Sequence, residues 1–165
     1  MRRGVFPVLF AVTIGASLAE NFPCFPLSVP YMKNLAAGAP LLDMRPGYTP
    51  GAAYHLFDVL GQTGRDAYLK LLWTIDLLLP ALFGLFLYSA SQGGALRAWQ
   101  SIPLVAAACD YAENITITTL LLRYPIHEPA FAQLASVFTV AKLVLYSCGL
   151  LLAAGGFLVK IIRTL

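Results

Sequence analysis

Charge is what this 165-residue sequence has least of: 12% of its residues are Asp, Glu, Lys or Arg, about half the ~25% usual in a soluble domain. It holds no run of lysines or arginines that could neutralise a row of phosphates, so nucleic-acid binding has no electrostatic footprint. Cysteine is nearly missing. Cys24, Cys109 and Cys148 are odd in number, make no CxxC, and two of them fall inside apolar stretches, which excludes a disulfide scaffold and argues against dithiol chemistry. His55 and His127 form no HxxH or HxxxH pair, and a metal site would have to borrow Asp43, Asp58 or Glu128, so no metal and no cofactor are expected. Ser89, Ser91, Ser101 and Ser136 lack a G-x-S-x-G setting, and a serine hydrolase is unsupported.

What remains is apolar. Hydrophobic residues make up 59% of the chain, the mean hydropathy is +0.74, and the apolar residues come in long blocks rather than scattered. Four blocks approach the ~20 residues that cross a ~30 Å hydrocarbon core: about 4–21, 67–90, 101–122 and 129–159. The expected fold is an all-α integral membrane protein, a four-transmembrane-helix bundle forming a single domain over residues 1–165, with a short interfacial helix in the first loop. The last block exceeds the bilayer thickness, which implies tilt or protrusion. The N-terminal block resembles a signal peptide, with Ser17-Leu18-Ala19 at cleavage spacing, but three further apolar blocks favour an uncleaved anchor. Basic residues divide evenly: Arg2, Arg3, Arg97, Lys160 and Arg163 on the side of the termini, against Lys33, Arg45, Arg65, Lys70 and Arg123. The first set crowds the span ends, so the termini are expected in the cytoplasm, with the chain in a bacterial inner membrane.

The outer loop, 22–66, is the one sizeable polar region. Its prolines at 23, 26 and 30 read as a stiff extended strap along the membrane surface, Phe22 to Pro30. Thr49-Pro50 offers an N-cap followed by proline at the first helical position, and a helix over 50–60 should present Ala53, Leu56, Phe57 and Leu60 on one face. This helix should lie in the interface over the bundle mouth, with His55 and Asp58 facing polar surroundings. Gly61-Gln62-Thr63-Gly64-Arg65 lacks the Lys-Ser/Thr of a phosphate loop and reads as a turn. Tyr48, Tyr54, Arg65, Tyr68, Trp73 and Tyr124 gather near the outer interface as an aromatic belt with a snorkelling arginine. Arg65, Tyr68, Tyr54 and His55 are the outer-mouth candidates. Asn114-Ile115-Thr116 matches the glycosylation pattern but falls inside a span.

Charges inside the blocks need a reason. Asp76, Asp110, Glu113 and Lys142 would each cost about 2.5–3.5 kcal/mol at a helix centre, on the order of 10 kcal/mol together if unpaired. Asp76 and Asp110 each lie about ten residues from the end of their block, at ~1.5 Å per residue, which places both near the midplane. Asp110, Glu113 and Asn114 share one face at i, i+3 and i+4. Ala135, Thr139, Lys142, Tyr146, Gly149 and Ala153 make a small or polar stripe that should face other helices. Trp73 precedes Asp76, and Pro80 removes the donor to the Asp76 carbonyl. Asp76, Asp110, Glu113, Asn114, Lys142, Tyr146 and Trp73 are therefore the candidates for a ligand site or proton relay. Three carboxyls against one lysine give a net −2 if all ionise, so a proton or a cation should join them.

The segments Asp43-Met44-Arg45 with Gly47-Tyr48, Gly64-Arg65-Asp66-Ala67-Tyr68, Asp76 with Pro80, and Asp110-Tyr111-Ala112-Glu113-Asn114 resemble a group of uncharacterised small bacterial four-span membrane proteins. That resemblance covers most of the chain and implies a fold but no activity. In layout alone, four helices with buried acids and an outer cap, the sequence is also similar to the EXPERA proteins, which bind or isomerise sterol-like molecules; no EXPERA motif matches residue by residue. Three functions fit the residues. One is a pocket for an amphipathic or protonatable small molecule or lipid, with or without acid–base chemistry on it. Another is a proton- or cation-coupled carrier using the same residues. The third is an accessory subunit of a larger membrane complex, with Gly149, Ala153 and Gly156 as its packing face. The implied partners are the bilayer, such a ligand, and a homo-oligomer or larger complex.

Overall fold

The structure, a computed structural model, describes residues 5–23, 27–92 and 97–162, apart from the side chains of residues 5, 97 and 160–162. Arg2, Arg3 and Arg163, on which the orientation argument leans, and Cys24 of the proline-rich segment lie outside the described residues. Every regular element described is a helix: α1 (Val5–Asn21), α2 (Val29–Leu35), α3 (Pro50–Leu72), α4 (Ile75–Ser91), α5 (Ile102–Arg123) and α6 (Pro129–Ile162), with 3-10 turns at Leu42–Met44 and Arg97–Trp99. Prolines mark the starts. Pro30, Pro50, Pro103 and Pro129 all sit in the first turn of a helix, where no N–H is required of them.

The segment 27–72 forms a cap with its own core. Ser28 caps α2 by accepting from the Tyr31 N–H at 3.4 Å, and Thr49 does the same for α3 at 3.3 Å. Met32, Leu42, Leu56, Phe57, Tyr68 and Leu71 are almost wholly buried, packed against Ile117 and Leu120 at one end of α5 and Ala132 and Ala135 at the start of α6. Gly47 lets the chain dock on α6. Its φ of +121° is in glycine territory, a Cβ there would press on Val140 at 3.3 Å, and the next residue, Tyr48, donates its N–H to Ser136 Oγ at 2.9 Å.

Beyond the cap, the rest of α5 and α6 pair closely, α4 packs on both, and α1 packs chiefly on α4, where Phe6 and Phe10 meet Phe86 at 5.6 and 5.5 Å between ring centroids. These four helices form a stem whose outward side chains are apolar. Val8 (62% exposed), Leu78 (62%), Leu151 (75%) and Phe157 (65%) face outward although the cap buries comparable residues completely. Two stretches are long and apolar enough to cross a membrane, Pro50–Ser91 and Pro129–Val159, and Phe6–Asn21 is a shorter apolar helix. The block 101–122 does form a helix, α5, but Asp110, Glu113 and Asn114 dilute its apolar run, and it is not among them.

Three expectations need correction. The strap from Phe22 to Pro30 ends early, because Ser28 caps α2 and Pro30 falls in its first turn. The helix from Pro50 does break at Gly61 (φ 59°, ψ −174°), but the break is one residue wide, and the segment read as a turn resumes as helix to Leu72. The second block, 67–90, is not one helix. Trp73 and Thr74 leave the helical region, and the Thr74 hydroxyl donates to the carbonyl of Lys70 at 2.6 Å, competing with the backbone ladder. Asp76 is therefore in the first turn of α4, not at mid-helix.

In the cap, Leu56, Phe57 and Leu60 are buried while His55 and Asp58 are exposed, matching the face assigned from sequence. Hydrogen exchange should accordingly show slow amides from Ala53 to Leu60. Exchange at coil rates through this segment would mean that the cap does not fold as described.

Candidate functional site

The buried charges converge where the cap meets the stem. Lys142 on α6 lies between two carboxylates of α5, its Nζ 2.7 Å from Asp110 Oδ1 and 2.6 Å from Glu113 Oε2. Helical spacing brings this about, since Asp110 and Glu113 are three residues apart and share the face that α6 covers. Glu113 has no exposed surface, and its Oε1 accepts from the Thr139 hydroxyl, one turn before Lys142. Ala135, Thr139, Lys142 and Gly149 of the anticipated stripe are all buried.

Asp76 and Asn114 stand outside these ion pairs. Lys142 makes no ion pair with Asp76 among the described residues, and Asp76 Oδ2 is buried without a hydrogen-bond partner. Among the described residues Asn114 bonds no carboxylate. Its Nδ2 donates to the main-chain carbonyl of Asp76 at 3.3 Å, the carbonyl for which Pro80 has no N–H. Two more side chains hold the same stretch of α4: the Tyr111 hydroxyl donates to the Leu77 carbonyl at 2.7 Å, and that of Tyr146 to the Pro80 carbonyl at 3.4 Å.

Beside these groups is a cavity of about 240 Å³, open rather than sealed, lined by Ser17, Asp76, Leu79, Pro80, Phe83, Asp110 and Tyr146. Of the seven candidates, Asp76, Asp110 and Tyr146 reach this cavity, and Glu113, Lys142 and Asn114 stand behind it. Trp73 does not join. It is 48% exposed and donates from Nε1 to Thr118 Oγ1 at 3.0 Å.

The outer-mouth candidates do not converge. Arg65 is a cap rather than a snorkelling arginine, donating to the Phe57 carbonyl at 2.9 Å across the Gly61 break and covering the Tyr124 ring at 4.1 Å. Tyr54 anchors the α5–α6 connection, accepting from the Glu128 N–H at 2.5 Å and stacking on His127 at 4.0 Å. Tyr68 is wholly buried and donates to Asp43, and His55 is exposed. The Tyr124 hydroxyl donates to Asp58, which holds that phenol above its usual pKa.

Sequence reasoning passed over Glu20, read Ser17 only as part of a cleavage spacing, and weighed Asp43 only as a metal ligand. Ser17 lines the cavity, and Glu20, one turn on, faces Asp43, Lys142 and Asp110. Thr13, Ser17 and Glu20 at i, i+4 and i+7 were the available signal, a polar stripe on an apolar helix. Among the described residues no group of His, Cys, Asp and Glu is arranged to hold a metal ion. Compared with known proteins, the chain matches no family model, no curated protein and no solved structure. What stands is a helical protein with two apolar stretches of membrane-crossing length and a buried Lys142–Asp110–Glu113 cluster beside an acid-lined cavity.

Proposed function

We propose that this chain is a four-span membrane protein, of the kind its Asp43–Tyr48 and Asp110–Asn114 segments resemble, that binds the cationic headgroup of an amphipathic small molecule in the Asp76 cavity. The observation that carries this reading is Asp76, which lines an open cavity and whose Oδ2 is buried with no hydrogen-bond partner among the described residues. Lys142 is already shared by Asp110 and Glu113. A buried acid without a partner is costly, so a ligand that brings its own positive charge gains what the chain withholds. Leu79, Pro80 and Phe83 supply the apolar wall for the rest of the molecule.

Embedding in the bilayer is supported by the outward apolar side chains of the stem and by its two tryptophans. Trp73 stands where α4 begins and Trp99 beyond where it ends, 48% and 57% exposed, as interfacial anchors do. The 17 residues of α4 cover about 25 Å at ~1.5 Å each, a mismatch that local thinning absorbs. Four spans put both termini on one side, which we assign to the cytoplasm of a bacterial inner membrane. A cysteine replacing Leu165 should then resist labelling from outside intact cells. Efficient labelling would reverse the topology and turn the cap inward.

Binding is tested with the protein in zwitterionic lipid nanodiscs. Dodecyltrimethylammonium should bind, dodecyl sulfate should not, and Asp76→Asn should weaken the former at least about tenfold, 1.4 kcal/mol or more. Equal binding of both surfactants, or indifference to Asp76→Asn, would sink the reading. The subunit alternative loses its packing face to the chain itself: a Cβ on Gly149 would meet Pro103 at 2.9 Å and one on Gly156 the Ala90 carbonyl at 3.0 Å.

A further inference from the structure

Polar groups do not stop at the cavity wall. Asp110 pairs with Lys142, Lys142 with Glu113, and Thr139 donates to the far oxygen of Glu113. Beside Thr139, within reach of its hydroxyl, lies the buried Tyr48 hydroxyl. Tyr68 lies near enough to Tyr48 and Glu113 to feel their charge and donates to Asp43, whose residue is only partly buried at the surface of the cap. A row of exchangeable O–H and N–H groups thus runs from the cavity, through the core between α5 and α6, to the cap.

The charges facing this row come from every element around it: Glu20 of α1, Asp43 and Tyr48 of the cap, Tyr68 of α3, Asp76 of α4, Asp110 and Tyr111 of α5 beside Glu113, and Lys142 and Tyr146 of α6. Glu20, Asp76, Asp110 and Glu113 are set against one ammonium. In low-dielectric surroundings such a set stays near neutrality, by holding protons when the cavity is empty and by releasing one when a permanent cation arrives.

We propose that the cavity exchanges an organic cation for a proton, and that the proton leaves by way of Asp110, Lys142, Glu113 and Thr139 to Tyr48 and the cap. This rests on the cation-binding reading of the cavity. No bond to the ligand forms. The O–H bond of the Asp76 carboxyl breaks, and its oxygen becomes the counter-ion of the cation. Asp110 takes the proton across the cavity and Lys142 passes one from its ammonium to Glu113 while accepting one from Asp110. The hydroxyls of Thr139, Tyr48 and Tyr68 hand it on to the Asp43 carboxylate, to which Tyr68 donates, and buffer at the cap takes it up from there. The overall balance is one cation in and one proton out, with nothing oxidised or reduced.

Dodecyltrimethylammonium is the probe because it carries no titratable proton, so any proton released is the protein's. Titration calorimetry of the full chain in nanodiscs, run at one pH in two buffers of different ionisation heat, should give about one proton released per cation bound. Binding with no proton released overturns the exchange and leaves the binding site standing. No binding at all overturns the site itself. The route is read separately by stopped flow with a pH-sensitive dye. Tyr48→Phe removes the hydroxyl and keeps the ring, and Thr139→Val keeps the shape of the side chain. Both should bind the cation within about threefold of the parent and release the same number of protons, but at least about tenfold more slowly. Release at the parent rate in both variants overturns the route.

Discussion

Replacing Lys142 with methionine should destabilise the protein by about 3–5 kcal/mol, because it leaves two buried carboxylates facing each other with the ammonium between them gone. Asp110 and Glu113 lie 2.7 and 2.6 Å from that ammonium, and the lysine is 8% exposed, so solvent does little to soften the loss. Combining Lys142→Met with Asp110→Asn or Glu113→Gln should recover part of the loss, giving coupling above about 0.5 kcal/mol in each double-mutant cycle. The cycle with Asp76→Asn should be additive within that margin, since Asp76 makes no ion pair with the lysine. Denaturation of the four single and three double variants in one detergent would measure all of this. Additivity with Asp110 and Glu113 as well would mean that the three residues do not act as one unit.

The second large effect is expected in the cap. Phe57 is completely buried, edge-on to Tyr54 at 5.8 Å and to Tyr124 at 6.3 Å between centroids. Its replacement by alanine should cost about 3–5 kcal/mol, the loss of a large core aromatic plus the void it leaves. The damage should be local: amides of α2 and α3 should exchange faster while those in the stem half of α6 keep their protection. Uniform acceleration through both would show that cap and stem unfold as one unit. A loss under about 1 kcal/mol would show that the cap core contributes little to stability.

The parts of the site that were legible in the sequence are those set by spacing on a single helix. Asp110, Glu113 and Asn114 announce a shared face by their intervals, and Lys142 announces its own by the small residues around it; pairing the two faces needed only the rule that buried charges find partners. Pro50 behind Thr49 located the start of α3 for the same local reason. What could not be read were the partners chosen across the fold. Asp76 was placed near the midplane of a continuous block, yet the break at Trp73–Thr74 carries no glycine or proline to betray it, and it moves Asp76 to a helix start. Tyr68 and Asp43 are 25 residues apart, and nothing in their neighbourhoods says that they meet. The run of prolines hid α2, because a proline that forbids a helix interior is welcome in its first turn.

The bonds to the carbonyls of Asp76, Leu77 and Pro80 have a consequence for biosynthesis. The donors, on Asn114, Tyr111 and Tyr146, stand 38, 34 and 66 residues later in the chain, and a ribosome adds ~5–20 residues per second. For several seconds, therefore, α4 exists before anything can satisfy the carbonyl that Pro80 leaves open, a group that hydrocarbon tolerates poorly. On the proposed four-span reading, the helix would wait with that end at the water-facing edge of the translocation machinery and settle when α5 arrives, so that insertion of the second span would depend on synthesis of the third. Nascent chains ending before residue 111 should leave α4 loosely inserted and extractable by alkaline carbonate, and chains reaching past residue 114 should hold it.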